Sequence, residues 1–116
     1  MLSGYTRNAT ISENEFAWIG DSVIASWGST KLVDGVEGND GTNGDQPRGT
    51  QILRNLVHEN GHFSKQASPY FQAKTAQTKI EGNIFFNGPR AGINFKCVYS
   101  NLPHSFLRAS ATASRL

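Results

Sequence analysis

Three stretches of this chain share one frame, and that repetition limits the possible folds more than any other feature. Ile11-x-x-Asn14-x-Phe16, Ile52-x-x-Asn55-x-Val57 and Ile80-x-x-Asn83-x-Phe85 each set an apolar residue, an asparagine and a second apolar residue at the same spacing. The third copy opens the passage TKIEGNIFFNGPRAGINF, Thr78 to Phe95. The frame is a poor helix template. It fits a short strand that turns at or just past the asparagine. Repetition at a few tens of residues marks architectures in which one supersecondary unit stacks on the next.

A second landmark gives the size of the unit. Ile24 follows Ile11 by 13 residues, and Ile93 follows Ile80 by 13. In the middle copy the matching residue is read as Phe71, 19 residues after Ile52, which implies a six-residue insert. The return leg takes 9 residues from Phe71 to Ile80 but 28 from Ile24 to Ile52, an excess of 19. Without the inserts each copy is a 22-residue unit with two short apolar strands. Such a unit suits one coil of a parallel β-helix, whose coils pair at a spacing of roughly 4.8 Å. No coil buries its own apolar face, so stacking supplies the core. The expectation is an all-β chain of about three coils, with Ile11, Ile52 and Ile80 in one column and Ile24, Phe71 and Ile93 in another. Asn14, Asn55 and Asn83 would then lie at one turn, each amide bonding its neighbours and tolerating a left-handed bend, an asparagine ladder. Ordinary turn preference for asparagine is the alternative.

The segment Gly49 to Phe95 resembles the right-handed parallel β-helix repeat proteins, a superfamily that includes pectate-lyase-like polysaccharide enzymes. It most resembles a branch of large proteins carrying QPRGTQI, HE-x-GH and FFNGPRAGINF blocks, here beginning at Gln46, His58 and Phe85. The resemblance extends from about Ile11 to Phe95 and implies a fold more firmly than an activity. It implies a right-handed helix, a polysaccharide partner, and an extracellular or cell-surface setting for the parent protein. In that branch further coils follow, so this chain reads as a truncated or spliced piece.

Composition agrees with a turn-rich β protein: 116 residues, 37% apolar, 12 glycines. The net charge of +2 and the lack of a basic run give no support for nucleic acid. No apolar run is long enough for membrane insertion. MLSGYTRNATIS lacks an apolar stretch after a basic start, so no signal peptide is expected in this chain. Cys97 is a lone cysteine, which excludes an internal disulfide and a multi-cysteine zinc site. Asn8-Ala9-Thr10 is a glycosylation triplet of a kind that also arises by chance. Residues 1–95 are expected to form the partial helix. Past Phe95 the frame fails, with Leu102, Pro103 and Ser105 where a fourth coil would begin, so 96–116 is expected to be an irregular or disordered tail.

Several residues could carry chemistry. The loop at 34–49, DGVEGNDGTNGDQPRG, is polar and must lie outside the core. Its Asp34, Asp40 and Asp45 could hold Ca²⁺, the one cofactor suggested, although a solvated loop is the commoner case. His58-Glu59-Asn60-Gly61-His62 reads literally as the zinc-protease H-E-x-x-H. Its strand-then-turn setting opposes that, because residues four apart on extended chain are about 13 Å apart. Arg48, Lys74, Arg90 and Trp18 are candidates for holding an acidic sugar chain, with Lys74, Arg90, His58 and His62 as acid–base or charge-stabilising groups. Solvated surface positions for the cations, and packing for Trp18 and Trp27, are the plainer alternatives. Three readings result: a β-helix piece that binds or processes polysaccharide, a non-catalytic surface or scaffold module, and a metallohydrolase. Exposed coil ends also suggest self-association.

Overall fold

The computed structural model of the chain describes residues 1–29, 44–96 and 108–114. Among these residues ten strands are formed: β1 (Leu2–Ser3), β2 (Thr10–Ser12), β3 (Glu15–Ala17), β4 (Ile24–Trp27), β5 (Gln51–Leu53), β6 (Leu56–His58), β7 (Tyr70–Ala73), β8 (Lys79–Phe86), β9 (Ile93–Lys96) and β10 (Arg108–Ser114). No helix occurs among the described residues. In particular, no helix is long and apolar enough to cross a membrane.

Every strand pair is parallel, and there are two sheets. One runs β1-β4-β7-β9; the other runs β2-β5-β8-β6-β3, with β10 also on β8. The second order follows from the length of β8, whose first half pairs with β5 and whose second half pairs with β6. Parallel neighbours cannot be joined by a tight hairpin, so each repeat travels through the other sheet before returning one layer on. Ile11, Ile52 and Ile80 are in direct register, as are Phe16, Val57 and Phe85. Arg7, Arg48 and Ala76 add a third, single-residue parallel bridge per repeat.

The column expected to hold Phe71 is corrected by one residue. Tyr70 pairs with both Ile24 and Ile93, while Phe71 pairs with Ala25 and Asn94. The middle insert is therefore five residues, and the return from Tyr70 to Ile80 takes ten, giving a 23-residue unit. A one-residue slip sends a strand's side chains to the opposite face. Tyr70 is accordingly buried and Phe71 only half-buried. Both are large aromatics next to each other, so apolarity alone could not choose between them.

The corners also differ from expectation. The left-handed residue is the one before each asparagine: Glu13 (φ 59°), Arg54 (φ 52°) and Gly82 (φ 67°). Further corners recur in register at Trp18, Glu59 and Asn87, and at Asn8, Gly49 and Gln77. The tail is not irregular throughout, because β10 continues the stack. Ala109, Ala111 and Ala113 stand opposite Ile80, Asn83 and Phe85, with a register shift across Gly82. The unpaired edge of β8 offers hydrogen-bonding groups to any extended segment that reaches it, even one poor in large apolar residues. Residues 97–107 lie outside the described residues, as does Cys97 with them.

Between the sheets lies a core of Ile24, Ile52, Tyr70 and Ile80, flanked by Ile11, Phe16, Val23 and Ile93. Burial rises from the first repeat to the next. Ile11 and Phe16 are half-buried, whereas Ile52, Val57 and Ile80 are fully enclosed. Each repeat thus completes the core of its neighbour.

Candidate functional site

At the bend between the two halves of the longer sheet, the three asparagines form a hydrogen-bonded column. Asn14 Nδ2 and its backbone N–H both donate to Asn55 Oδ1, at 3.2 and 3.1 Å. Asn55 does the same to Asn83 Oδ1, at 3.0 and 2.9 Å. Asn55 Nδ2 also reaches Ile11 O, and Asn83 Nδ2 reaches Ile52 O. Asn55 and Asn83 are each 1% exposed, so these bonds satisfy amides that water cannot reach. This column is structural. It holds the sheets in register through amides whose hydrogen bonds are made within the column.

The sequence candidates for chemistry are dispersed. His58 closes β6, where its ring stacks on Phe86 (centroids 5.0 Å, 3°) and Nε2 lies 3.0 Å from Glu15 Oε1. His62 instead stacks on Trp18, with centroids 5.5 Å apart. Between them the chain turns through Glu59 (φ 53°) and Gly61 (φ 75°), so the pair shares no helix face. Gly61 is required there, since a Cβ would fall 2.4 Å from Pro89 Cγ. Glu59 accepts a hydrogen bond from Asn87 Nδ2 at 2.6 Å and is thereby tied to the next repeat. Among the described residues, no three His, Cys, Asp or Glu side chains gather as a metal site. Asp34 and Asp40 lie outside the described residues. Asp45 is described, and its backbone carbonyl accepts from Ser29 N–H at 2.7 Å.

Lys74 stands one residue past β7 with φ 53°, and Arg90 stands three residues before β9. Given the Tyr70–Ile93 register, about seven residue rises separate them, on the order of 20 Å. They cannot converge on one reacting atom. Arg90 Nη1 approaches Gln66 O at 3.5 Å. Arg48 sits in the single-residue bridge between Arg7 and Ala76. Trp18 is 71% exposed at its corner.

What the sequence missed is a shelf on the outer face of the shorter sheet. Ile24, Ser26 and Tyr70 point inward, so the alternating Trp27 and Phe71 point outward. Their rings lie 6.0 Å apart at 30°, and Trp27 is 50% exposed. Trp27 is in register with Ala73, and Ala73 with Lys96; Phe71 is in register with Asn94. The small Ala73 leaves the neighbouring indole accessible. Lys96 is exposed at the far side of the same row, and Lys74 follows Ala73 directly. The shelf thus presents two aromatic rings, an amide and the Lys96 ammonium on one face of the sheet, with Lys74 at the corner just past it. Only the alternation of strand β4, carried to its neighbours in the correct register, could have revealed it.

Beneath the shelf Tyr70 is fully enclosed, and its hydroxyl donates to Gln72 Oε1 at 2.9 Å. Burial pushes its pKa up to about 12, against the opposing influence of the Thr78 and Ser26 hydroxyls. Tyr70 is therefore a neutral structural group at ordinary pH. Compared with known proteins, the chain matches no family model, no curated protein and no solved structure.

Proposed function

We propose that the repeats are coils of a right-handed parallel β-helix, and that the chain binds an acidic polysaccharide without cleaving it. The observation that carries this reading is the Trp27–Phe71 shelf flanked by Lys96 and Lys74. An aromatic face offers the apolar side of a sugar ring a flat, desolvating surface, and the polar rim of the ring is left to neighbouring groups. Asn94, in register with Phe71, can serve hydroxyls. Lys96 and Lys74 supply positive charge for uronate carboxylates. The pectate-lyase-like resemblance in sequence points to the same partner and to a setting outside the cell or at its surface.

Cleavage is left out of the proposal for a chemical reason. Removing a proton beside a uronate carboxylate needs a base and a cation at neighbouring atoms of one sugar. Here Lys74 and Arg90 stand at opposite ends of a sheet, while His58 and His62 are stacked on Phe86 and Trp18. Binding to polygalacturonate, alginate and a neutral glucan tests the reading. We expect weak uronate binding that falls as salt rises, since exposed ion pairing is screened beyond about 8 Å at physiological ionic strength. Preference for the neutral glucan, or uronate binding indifferent to salt, would overturn it.

A further inference from the structure

We propose that Asn8 is an N-glycosylation acceptor, and that its glycan shields the open edge of the stack. Of the ten asparagines in the chain, Asn8 alone is followed two positions later by Ser or Thr with a residue other than Pro between. A triplet by itself is weak support, and three structural observations strengthen it. Asn8 and Thr10 are both exposed. Asn8 lies on a corner with φ 52°, its backbone N–H donating to Arg48 O at 2.9 Å, while its side-chain amide has no hydrogen-bond partner among the described residues. Other asparagines differ: Asn14, Asn55 and Asn83 are bound in their column, Asn87 is tied to Glu59, and Asn60 is buried.

The location gives the modification a consequence. Thr10 begins β2, the last strand of its sheet, which pairs with β5 on one side only. The corner below Asn8 is Gly49, where a Cβ would stand 2.4 Å from Asn8 Oδ1, so the amide lies over a residue with no side chain. A sugar on this amide has solvent on its other side. Exposed parallel edges invite pairing with a second chain, and bulky polar groups at the edge oppose it. In the reaction, Asn8 Nδ2 bonds to the anomeric carbon of a lipid-pyrophosphate-linked oligosaccharide. The bond from that carbon to the pyrophosphate oxygen breaks, the lipid pyrophosphate leaves with the electron pair, and the amide loses one proton to a base.

The test is expression of the whole chain behind a secretory leader in glycosylating eukaryotic cells, with an occupied control triplet in the leader fusion. Intact mass should show one additional glycan on the chain, removed by an amidase that leaves aspartate at the acceptor. Thr10→Ala should lose that glycan and Thr10→Ser should retain it; both changes sit on an exposed strand position and spare the corner at Asn8. An unmodified Asn8 beside an occupied control overturns the site. Glycosylated protein should stay monomeric at concentrations where the Thr10→Ala protein associates. Equal association of the two overturns the shielding role.

Discussion

Asn55 is the residue on which the stack most depends, because both ends of its amide are used and neither can be rescued by water. Its oxygen receives two bonds from Asn14, and its nitrogen gives one to Asn83 and one to Ile11 O. Replacing it with Ala strands several buried groups at once, so a loss of about 2–4 kcal/mol is expected. Asn14 is exposed, and the same change there should cost about 1 kcal/mol or less. Urea midpoints for Asn14→Ala, Asn55→Ala and Asn83→Ala check this; equal costs at Asn14 and Asn55 would mean the column contributes little. Tyr70 gives a second residue-scale expectation. Its folded pKa is raised to about 12 from an ordinary 10.0, so the unfolded chain loses that proton first. Its contribution is therefore whole below pH 10 and disappears as pH rises to 12, by on the order of 2–3 kcal/mol. An alkaline melting series should show this drop, and Tyr70→Phe should remove it.

For the elements, the sequence was most informative where a rigid frame repeats and least where inserts break it. Ile11, Ile52 and Ile80 stand in register because the distance from isoleucine to asparagine never changes. The second sheet is harder to read, since five inserted residues precede Tyr70-Phe71 and two adjacent aromatics fit the frame equally well. The structure puts Tyr70 inward beside Ile24 and Ile93. Truncating it to Ala should cost about 3–5 kcal/mol, and Phe71→Ala much less. Comparable destabilisation by both would contradict the register. The candidate site depended on that same residue. With Phe71 read as core, Trp27 lacked a partner and the shelf could not be seen. Lys74 was legible as a strand-end cation, but Trp18 and His62 proved to stack on each other at a separate corner. The bend position was missed because three unlike residues, Glu13, Arg54 and Gly82, take the left-handed conformation. They share a place in the stack and no side-chain chemistry. After Arg108, β10 carries only Ala, Ser and Thr, so no apolar periodicity announced a strand.

At the scale of the whole molecule, repeats gain stability from neighbours, so the outer layers are the weak ones. Half-buried Ile11 and Phe16 against enclosed Ile52 and Val57 show this directly. Unglycosylated protein is expected to unfold gradually from its ends or to associate along β2 and β9. Sedimentation and melting at several concentrations test this, and a sharp, concentration-independent transition at high temperature would count against it. The same stacking produces the proposed binding surface, because Trp27, Phe71 and Lys96 come from three successive repeats. None of them forms a site within its own repeat. The most direct measurement is a double-mutant cycle on polygalacturonate affinity with Trp27→Ala, Lys96→Ala and the pair, each verified as folded. The account predicts that either change weakens binding and that the pair loses less than the product of the two, since both groups hold one ligand. Affinity that survives the double change would contradict it.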